Sequence, residues 1–422
     1  MIFEISNPEN ISSADIVVGI PSLNEADSIH VPTEIVSRGL QEYYPDKTSC
    51  IVNVDNHSED GTKDVFLNTD TDVPKIYVTT PEGVLGKGQN IINLFQVASE
   101  LKAKAIIMVD ADLKSITPEW VENLVAPLFD GYDYVVPVYL RHKYDGTITN
   151  NIAYPMLRTL YGLRVRQPIA GDFGISGMLA RNYLIEKTRT KSVTQFGIDI
   201  WMTTIAIGRK FKVCQTFMGS PKIHNPKDPA SDLGPMFSEV VGTIFQLMGD
   251  FAYLWKESKM SKPSVIYGFG LGQDLAIPNV SVSRDQLYKS IMKGFEMYSD
   301  SWKKVLSDTT WKEINKIKDL EMEEFYYPSS VWARVLFDFS IAYHNEMMDR
   351  DELIEMLIPF YHSRTLVFVN KTLDMNMQEA EDYLENVNRS FESEKEYLIN
   401  RWDQSIKENG GGRVAAMLAG SE

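Results

Sequence analysis

A chain of 422 residues with 44% hydrophobic and 24% charged residues is ordinary globular material, long enough for a sizeable core and two domains. A formal net charge of −16 argues against general nucleic-acid binding, which needs a basic stripe, but leaves room for an anionic substrate held by local basic residues. Two cysteines, Cys50 and Cys214, exclude a disulfide framework; both sit in strand-like apolar runs and read as buried, reduced thiols. The first fifteen residues are too acidic and polar for a signal peptide, and no run approaches about 18 uninterrupted apolar residues. No membrane span is expected, and the cytoplasm is the default compartment.

In chain order, Asp15–Ile20 is a short apolar strand closed by Pro21, with a helix expected after Asp27. Cys50–Val54 is a second strand, closed by DNHSEDGT, which carries turn and N-cap chemistry. Lys75–Val78 is a third, and Gly86–Gly88 opens a helix that runs to about Lys102. Ala105–Val109 is a fourth strand, after which Pro118 starts a helix in its first turn; Tyr134–Tyr139 is a fifth. Strands alternating with helices predict an α/β fold, a mostly parallel sheet covered on both faces. Ligands of such sheets gather beyond the carboxyl ends of the strands, where Asn24, Glu25, Asp55, Asp110 and Asp112 fall.

Near residue 230 the pattern changes. PKDPASDLGP is a turn-rich boundary, and Met236–Glu257, Val331–Met348 and Met377–Ile406 then carry helical apolar spacing. The expected organisation is an α/β domain over 1–230, a mostly helical domain over 231–408 and a flexible tail over 409–422. The helical half is a candidate lid or homodimer surface, and its aromatic residues read as core.

The chemistry concentrates in four stretches. DAD at 110–112 ends a buried strand with two carboxylates, which repel unless they are solvated or a cation lies between them. A hard cation, Mg²⁺ or Mn²⁺, held there would also bind substrate phosphates. GIPSLNEADSI (19–29) and VDNHSEDGT (54–62) place polar and acidic residues at two more strand tips, suited to a base or ribose, or else to capping and tight turns. LGKGQNI (85–91) sets Lys87 between two glycines at a helix start, a plausible diphosphate cradle that lacks the spacing of a P-loop.

Taken in this order, these segments resemble the Rossmann-like nucleotide-sugar domain of GT-A glycosyltransferases over residues 14–230. Three further stretches, RQPIAGDFGISG (166–177), FGIDIW (196–201) and KIHNP (222–226), resemble the retaining mannosylglycerate synthase and glucosyl-3-phosphoglycerate synthase group, as does GKGQN. The resemblance implies that Asp112 and His224 ligate the divalent cation together with diphosphate oxygens; without it, a lone histidine after a strand reads as a surface residue. It implies that Pro21, Asn24, Glu25, Asp55, Gly86, Lys87, Asp110 and Ala111 bind the nucleotide sugar. Gln167, Gly171 and Asp172 correspond to a loop near the donor sugar, and Asp199 to an acid near the sugar hydroxyls or acceptor. The acceptor group is Arg141, Thr147, Thr149, Gln167 and Gly171, with Arg141 to Asn151 lying where the group binds a carboxylate-bearing acceptor. Lys87, Asp172 and Asp199 are the candidate catalytic residues.

Two departures stand out. Ala170-Gly171-Asp172 replaces the usual GGE, shortening the acid by about one methylene, and Asn225-Pro226 follows the histidine in place of an arginine-rich run. The expected activity is metal-dependent retaining transfer of a hexose, glucose before mannose, from a nucleoside diphosphate sugar to D-glycerate or 3-phosphoglycerate. The rivals are an inverting family-2 transferase acting on a lipid phosphate or polysaccharide, which would be expected to carry a membrane anchor or QxxRW, and a non-catalytic nucleotide-sugar-binding protein.

Overall fold

The structure is a computed structural model that describes residues 3–224, 233–268 and 277–419, with side chains as far as Glu408. The chain divides into two compact units, one of Met1–His142, Leu163–Pro226 and Lys262–Val280, the other of Lys143–Gly162, Lys227–Ser261 and Ser281–Glu422. The boundary expected at residue 230 lies outside the described residues.

The first unit is α/β. Its strands are β1 (Glu4–Ser6), β2 (Ile16–Ser22), β3 (Ser49–Asp55), β4 (Lys75–Thr79), β5 (Ala105–Met108), β6 (Tyr134–Val138), β7 (Leu163–Arg164), β8 (Phe173–Ser176), β9 (Val213–Phe217), β10 (Lys262–Pro263) and β11 (Val265–Tyr267). Among the described residues nine of them form one sheet in the order β1-β4-β3-β2-β5-β8-β6-β9-β11, and β7 pairs with β10. The run β4-β3-β2-β5 is parallel, as the strand–helix alternation predicts. β2 and β3 are buried almost end to end, which accounts for their unbroken apolar runs. Pro21 sits in β2 past Gly19, where pairing with β5 has ended, so its missing N–H breaks no bond on that side.

The sheet is mostly parallel, as expected, with two strands reversed: β1 runs antiparallel to β4, and β8 runs antiparallel to both β5 and β6. The reversal of β8 matters for the site. Met108 at the end of β5 pairs with Phe173 at the start of β8, so Asp110 and Asp172 emerge at the same edge. β6 and β9 are parallel, with Val138 opposite Phe217, and their carboxyl ends open at that edge too. Helices α1 (His30–Tyr43), α2 (Thr62–Asn68), α3 (Lys87–Glu100), α4 (Glu119–Phe129), α6 (Gly177–Ile185) and α7 (Ile198–Gly208) belong to this unit. α3 turns Ile91, Leu94, Phe95 and Ala98 inward at helical spacing and packs on β2 and β3.

The second unit is helical: α5 (Tyr154–Tyr161), α8 (Gly234–Asp250), α9 (Ala252–Trp255), α10 (Arg284–Val305), α11 (Asp308–Lys316), α12 (Ser329–His344), α13 (Arg350–Thr372), α14 (Met377–Ser393) and α15 (Lys395–Ala419). Buried cations tie it together. Arg158 on α5 is ion-paired with Glu385 at 2.6 Å and Glu392 at 2.9 Å. Lys395 caps the same helix through the carbonyls of Thr159 and Leu160. Of the expected tail over 409–422, the backbone is helical to Ala419, and 420–422 lie outside the described residues. Among the described residues no helix is long and apolar enough to cross a membrane.

Candidate functional site

Asp110 leaves β5 into a cluster of charges. Its Oδ1 accepts from Lys87 Nζ at 2.9 Å and its Oδ2 from Lys222 Nζ at 2.7 Å. Lys222 also binds Asp172 Oδ2 at 2.7 Å, and the Asp110 backbone N–H donates to Asp172 Oδ1 at 3.0 Å. Burial works against charge on Asp110, but the two lysines outweigh it and hold its pKa well below the ordinary carboxylate value. Asp172 moves the other way: full burial raises its pKa, and Asp110 adds to the effect, against a single lysine. Ala111 is buried beside them.

Lys87 opens α3 and lies 3.7 Å from Asp199 Oδ2. Burial opposes its charge, yet Asp110 and Asp199 outweigh burial and raise its pKa. Burial is also the main reason the Asp199 pKa is raised, and its Oδ1 is buried with no partner among the described residues. Gln167 Oε1 is a second buried acceptor in that condition. Thr203 Oγ1 binds Pro168 O at 2.7 Å, which ties the 167–168 backbone to α7, the helix whose first turn carries Asp199.

The GKG glycines have a local cause. A Cβ on Gly88 would lie 1.9 Å from Val193 O, and one on Gly86 would lie 2.1 Å from Thr194 O. Gly88 N donates to Gln195 O at 3.1 Å, and Gln195 Nε2 to Leu85 O at 2.9 Å. The backbone these glycines admit is therefore the 193–195 loop of the chain itself. That docking leads into α7 and brings Asp199 to Lys87.

Lys222 is the residue that sequence reasoning missed. It lies two positions before His224 in a stretch read only for its histidine, and nothing local marks it as buried. Its side chain is 3% exposed, and Ala170 O accepts its third hydrogen bond at 2.8 Å.

Asp112 and His224 are both half-buried. Lys114 N donates to Ile223 O at 2.9 Å, and Ile223 N to Ser115 Oγ at 2.9 Å, so the segments bearing these two residues run side by side. Among the described residues no three His, Cys, Asp or Glu side chains gather as a metal cage. A carboxylate and an imidazole nonetheless suit a cation that takes its remaining ligands from phosphates, a usual arrangement for Mg²⁺. Asn225 and Pro226, noted as a departure, lie outside the described residues.

On the side expected to meet the base or ribose, the loops after β2 and β3 are fastened together. Asn24, in a left-handed conformation at φ 56°, donates its N–H to Ser58 Oγ at 2.7 Å. Glu25 N donates to Thr62 Oγ1 at 2.8 Å, and Ala26 N to Asp60 Oδ2 at 2.9 Å. Asn24 is exposed and Glu25 half-buried, so both side chains are accessible. Burial raises the Glu25 pKa, with Asp112 and Asp110 adding to it and Ser28 opposing. Asp55, expected on the base or ribose, is fully buried. Its Oδ1 accepts from Ser22 Oγ at 2.6 Å and Ser58 Oγ at 2.7 Å, its Oδ2 from Ser58 N at 2.7 Å and Tyr77 Oη at 3.0 Å. With four donors on two oxygens, Asp55 organises the loops and has no acceptor capacity left for a ligand.

The expected acceptor group is divided between the units. Arg141, in the first, donates to Tyr139 Oη at 2.8 Å, and Tyr139 in turn donates to Ala170 O at 2.9 Å. Gly171 adopts φ 86°, and a Cβ there would lie 2.4 Å from Asp110 Oδ2, so both conformation and space require glycine. Thr147 and Thr149 are buried in the second unit, where Thr147 Oγ1 shares a hydrogen bond with Tyr361 Oη at 2.6 Å. Lys143, within the Arg141 to Asn151 stretch, caps α13 through Thr372 O at 2.5 Å and Met375 O at 2.7 Å.

A mixed α/β sheet with acids and a lysine at the carboxyl ends of its strands, accompanied by a helical C-terminal region, is a GT-A fold. Residues 17–189 match the family described as Glycosyl transferase family 2. No curated protein matches the sequence significantly. Similar solved structures include glucosyl-3-phosphoglycerate synthase from Mycobacterium tuberculosis with phosphoglyceric acid (20% identity, 64% of this chain and 88% of that one, TM-score 0.44). The same enzyme with Mg²⁺ and uridine diphosphate matches at 21% identity over 64% and 88%, TM-score 0.43. With Mn²⁺, uridine diphosphate and glucosyl-3-phosphoglycerate it matches at 21% over 64% and 88%, TM-score 0.42.

Proposed function

We propose that the chain is a metal-dependent glycosyltransferase that moves a hexose from a nucleoside diphosphate sugar to a small carboxylate-bearing hydroxy acid. Glucose is favoured over mannose as the sugar, and D-glycerate or 3-phosphoglycerate as the acceptor. The observation that carries the reading is a buried, lysine-held acid cluster built on Asp110 and Asp172 of the family 2 match, in whose company Asp199 Oδ1 and Gln167 Oε1 stand without partners among the described residues. Buried acceptors need donors, and a polyhydroxylated sugar supplies them.

Lys87, at a helix N-terminus, is suited to face the diphosphate and stabilise the negative charge that grows as it departs. Asp112 and His224 would hold Mg²⁺ or Mn²⁺, which supplies further charge neutralisation on the same leaving group when bound. Arg141, fixed by Tyr139, is the candidate for the acceptor carboxylate. Asp172 is poorly placed as a nucleophile, because Lys222 and the Asp110 N–H occupy both its oxygens. That supports attack by the acceptor hydroxyl on the leaving group's own face, with retention.

Inverting transfer is the second reading, and Asp199 favours it: a buried carboxylate with a raised pKa and an open oxygen has the character of a general base. Release of nucleoside diphosphate from UDP- and GDP-linked glucose and mannose, with and without each acceptor, tests the activity. Release indifferent to acceptor, or none, would overturn it. Anomeric NMR of the product then decides between the stereochemical courses.

A further inference from the structure

We propose that Lys222 is the positioning residue that locks Asp110 and Asp172 into one arrangement for the sugar end of the donor. This rests on the glycosyl-transfer reading above. An ammonium has three hydrogens to donate, and Lys222 directs them to Asp110 Oδ2 at 2.7 Å, Asp172 Oδ2 at 2.7 Å and Ala170 O at 2.8 Å. It is saturated and buried, so it does not itself reach substrate. It acts through the acids it holds.

The geometry makes Lys222 hard to replace. Asp110 has one oxygen on Lys87 and the other on Lys222, so the plane of its carboxylate is set from both sides. The chain closes on that same carboxylate at Gly171, where there is no room for a Cβ. Without Lys222, Asp110 and Asp172 confront each other as like charges in a buried place, and Lys87 alone holds Asp110. The lysine also joins two halves of the chemistry. Ala170 O receives both Lys222 and Tyr139 Oη, and Tyr139 Oη receives Arg141, so the donor-side acids and the acceptor-side arginine meet at one carbonyl.

A residue that merely stabilised the fold would weaken every ligand alike. A positioning residue for the sugar end weakens the sugar-bearing ligand and spares the diphosphate, which Lys87 and the cation ligands still serve. The test is isothermal titration of UDP-glucose and of UDP, each with Mg²⁺, into wild type, Lys222→Met and Lys222→Arg. Lys222→Met is expected to lose about tenfold or more for UDP-glucose while UDP stays within about twofold, a tenfold change being about 1.4 kcal/mol. Lys222→Arg, which keeps a cation able to bridge two carboxylates, is expected to retain UDP-glucose within about threefold. Equal losses for both ligands, an unchanged UDP-glucose affinity in Lys222→Met, or a Lys222→Arg protein that has lost its preference for UDP-glucose would each overturn the proposal. If wild type binds neither nucleotide, the glycosyl-transfer reading falls. The positioning is then judged by the crystal structure of Lys222→Met: Asp110 and Asp172 left in place would refute it, and displaced carboxylates would uphold it.

Discussion

Replacing Asp55 by asparagine separates two accounts of that residue. In one it contacts the nucleotide; in the other it holds the loops after β2 and β3. The carboxylate takes four hydrogen bonds at 2.6–3.0 Å. Asparagine is the same size but offers one acceptor oxygen and two N–H donors. If its oxygen takes the Oδ1 place, the Ser58 backbone N–H faces an NH₂ group and is left unpaired. If the amide turns over, the hydroxyl hydrogens of Ser22 and Ser58 lose their acceptor instead. Rotation does not rescue both, because Ser22 Oγ already accepts from Asn53 Nδ2 and Ser58 Oγ from Asn24 N.

One backbone N–H or two hydroxyls are therefore stranded in a buried place, at about 1–3 kcal/mol each, and the surviving bonds lose their charge assistance. The expected cost is about 2–4 kcal/mol. Urea unfolding of wild type and Asp55→Asn, read by circular dichroism, measures it, and titration with UDP measures binding to the folded variant. A stability loss of that size with UDP affinity nearly unchanged is the expected result. An unaltered urea midpoint together with a tenfold weaker UDP would refute the structural role and return Asp55 to the nucleotide.

Gly171→Ala forces a Cβ to within 2.4 Å of Asp110 Oδ2 at a φ of 86°; the left-handed backbone alone costs about 1–2 kcal/mol, so a lowered melting temperature and at least about a tenfold loss of transfer are expected, and wild-type values for both would contradict the close approach. Gly88→Ala meets Val193 O at 1.9 Å; hydrogen exchange should rise across 192–199 as the loop undocks, whereas unchanged protection would show that it does not depend on the glycine. Asp112→Ala and His224→Ala should each raise the Mg²⁺ concentration for half-maximal transfer by about tenfold or more, and undiminished turnover after chelation would remove the cation from the reaction. Burial pulls the Lys395 amine from 10.5 down to about 8. The unfolded chain then binds more protons than the folded one between those values, so the site's contribution to stability rises with pH across the window. The melting temperature of wild type relative to Lys395→Met should climb from pH 8 to 10, and a flat difference would refute the shift.

The parallel core was legible because parallel strands are buried on both faces and advertise themselves as apolar runs; Ser49–Asp55 and Lys75–Thr79 fall within a residue or two of their expected bounds. β8 was not, since four residues of FGIS carry no directional signal, and antiparallel pairing is a property of the partner strands. In the helical unit, α13 buries residues around most of its circumference, from Leu353 to Thr372, so it lacks the one-sided stripe by which α14 can be found. The candidate site shows a similar division. Types of residue at strand ends and helix starts were readable: Lys87, Asp110, Asp172 and Asp199 come together. Which of them has capacity left for a ligand was not, because that depends on donors from distant segments. Asp55 is consumed by Ser22, Ser58 and Tyr77, while Asp199 keeps an oxygen open.

The paired acids of DAD illustrate how backbone geometry assigns chemistry. In a continuing strand, positions 110 and 112 would project from the same face, and their charges would lie together. The strand instead ends at Met108, and a turn over Ala111 and Asp112 redirects the chain. Asp110 is left facing inward, where Lys87 and Lys222 take both its oxygens. Asp112 is carried toward the segment that bears His224, which the Lys114–Ile223 hydrogen bond draws alongside. Two lysines hold one acid in a fixed orientation, and a cation that arrives with its own phosphate ligands suits the other. In the proposed transfer, this difference in counter-charge, one built into the chain and one brought with the substrate, would let two carboxylates two positions apart serve opposite ends of the same donor.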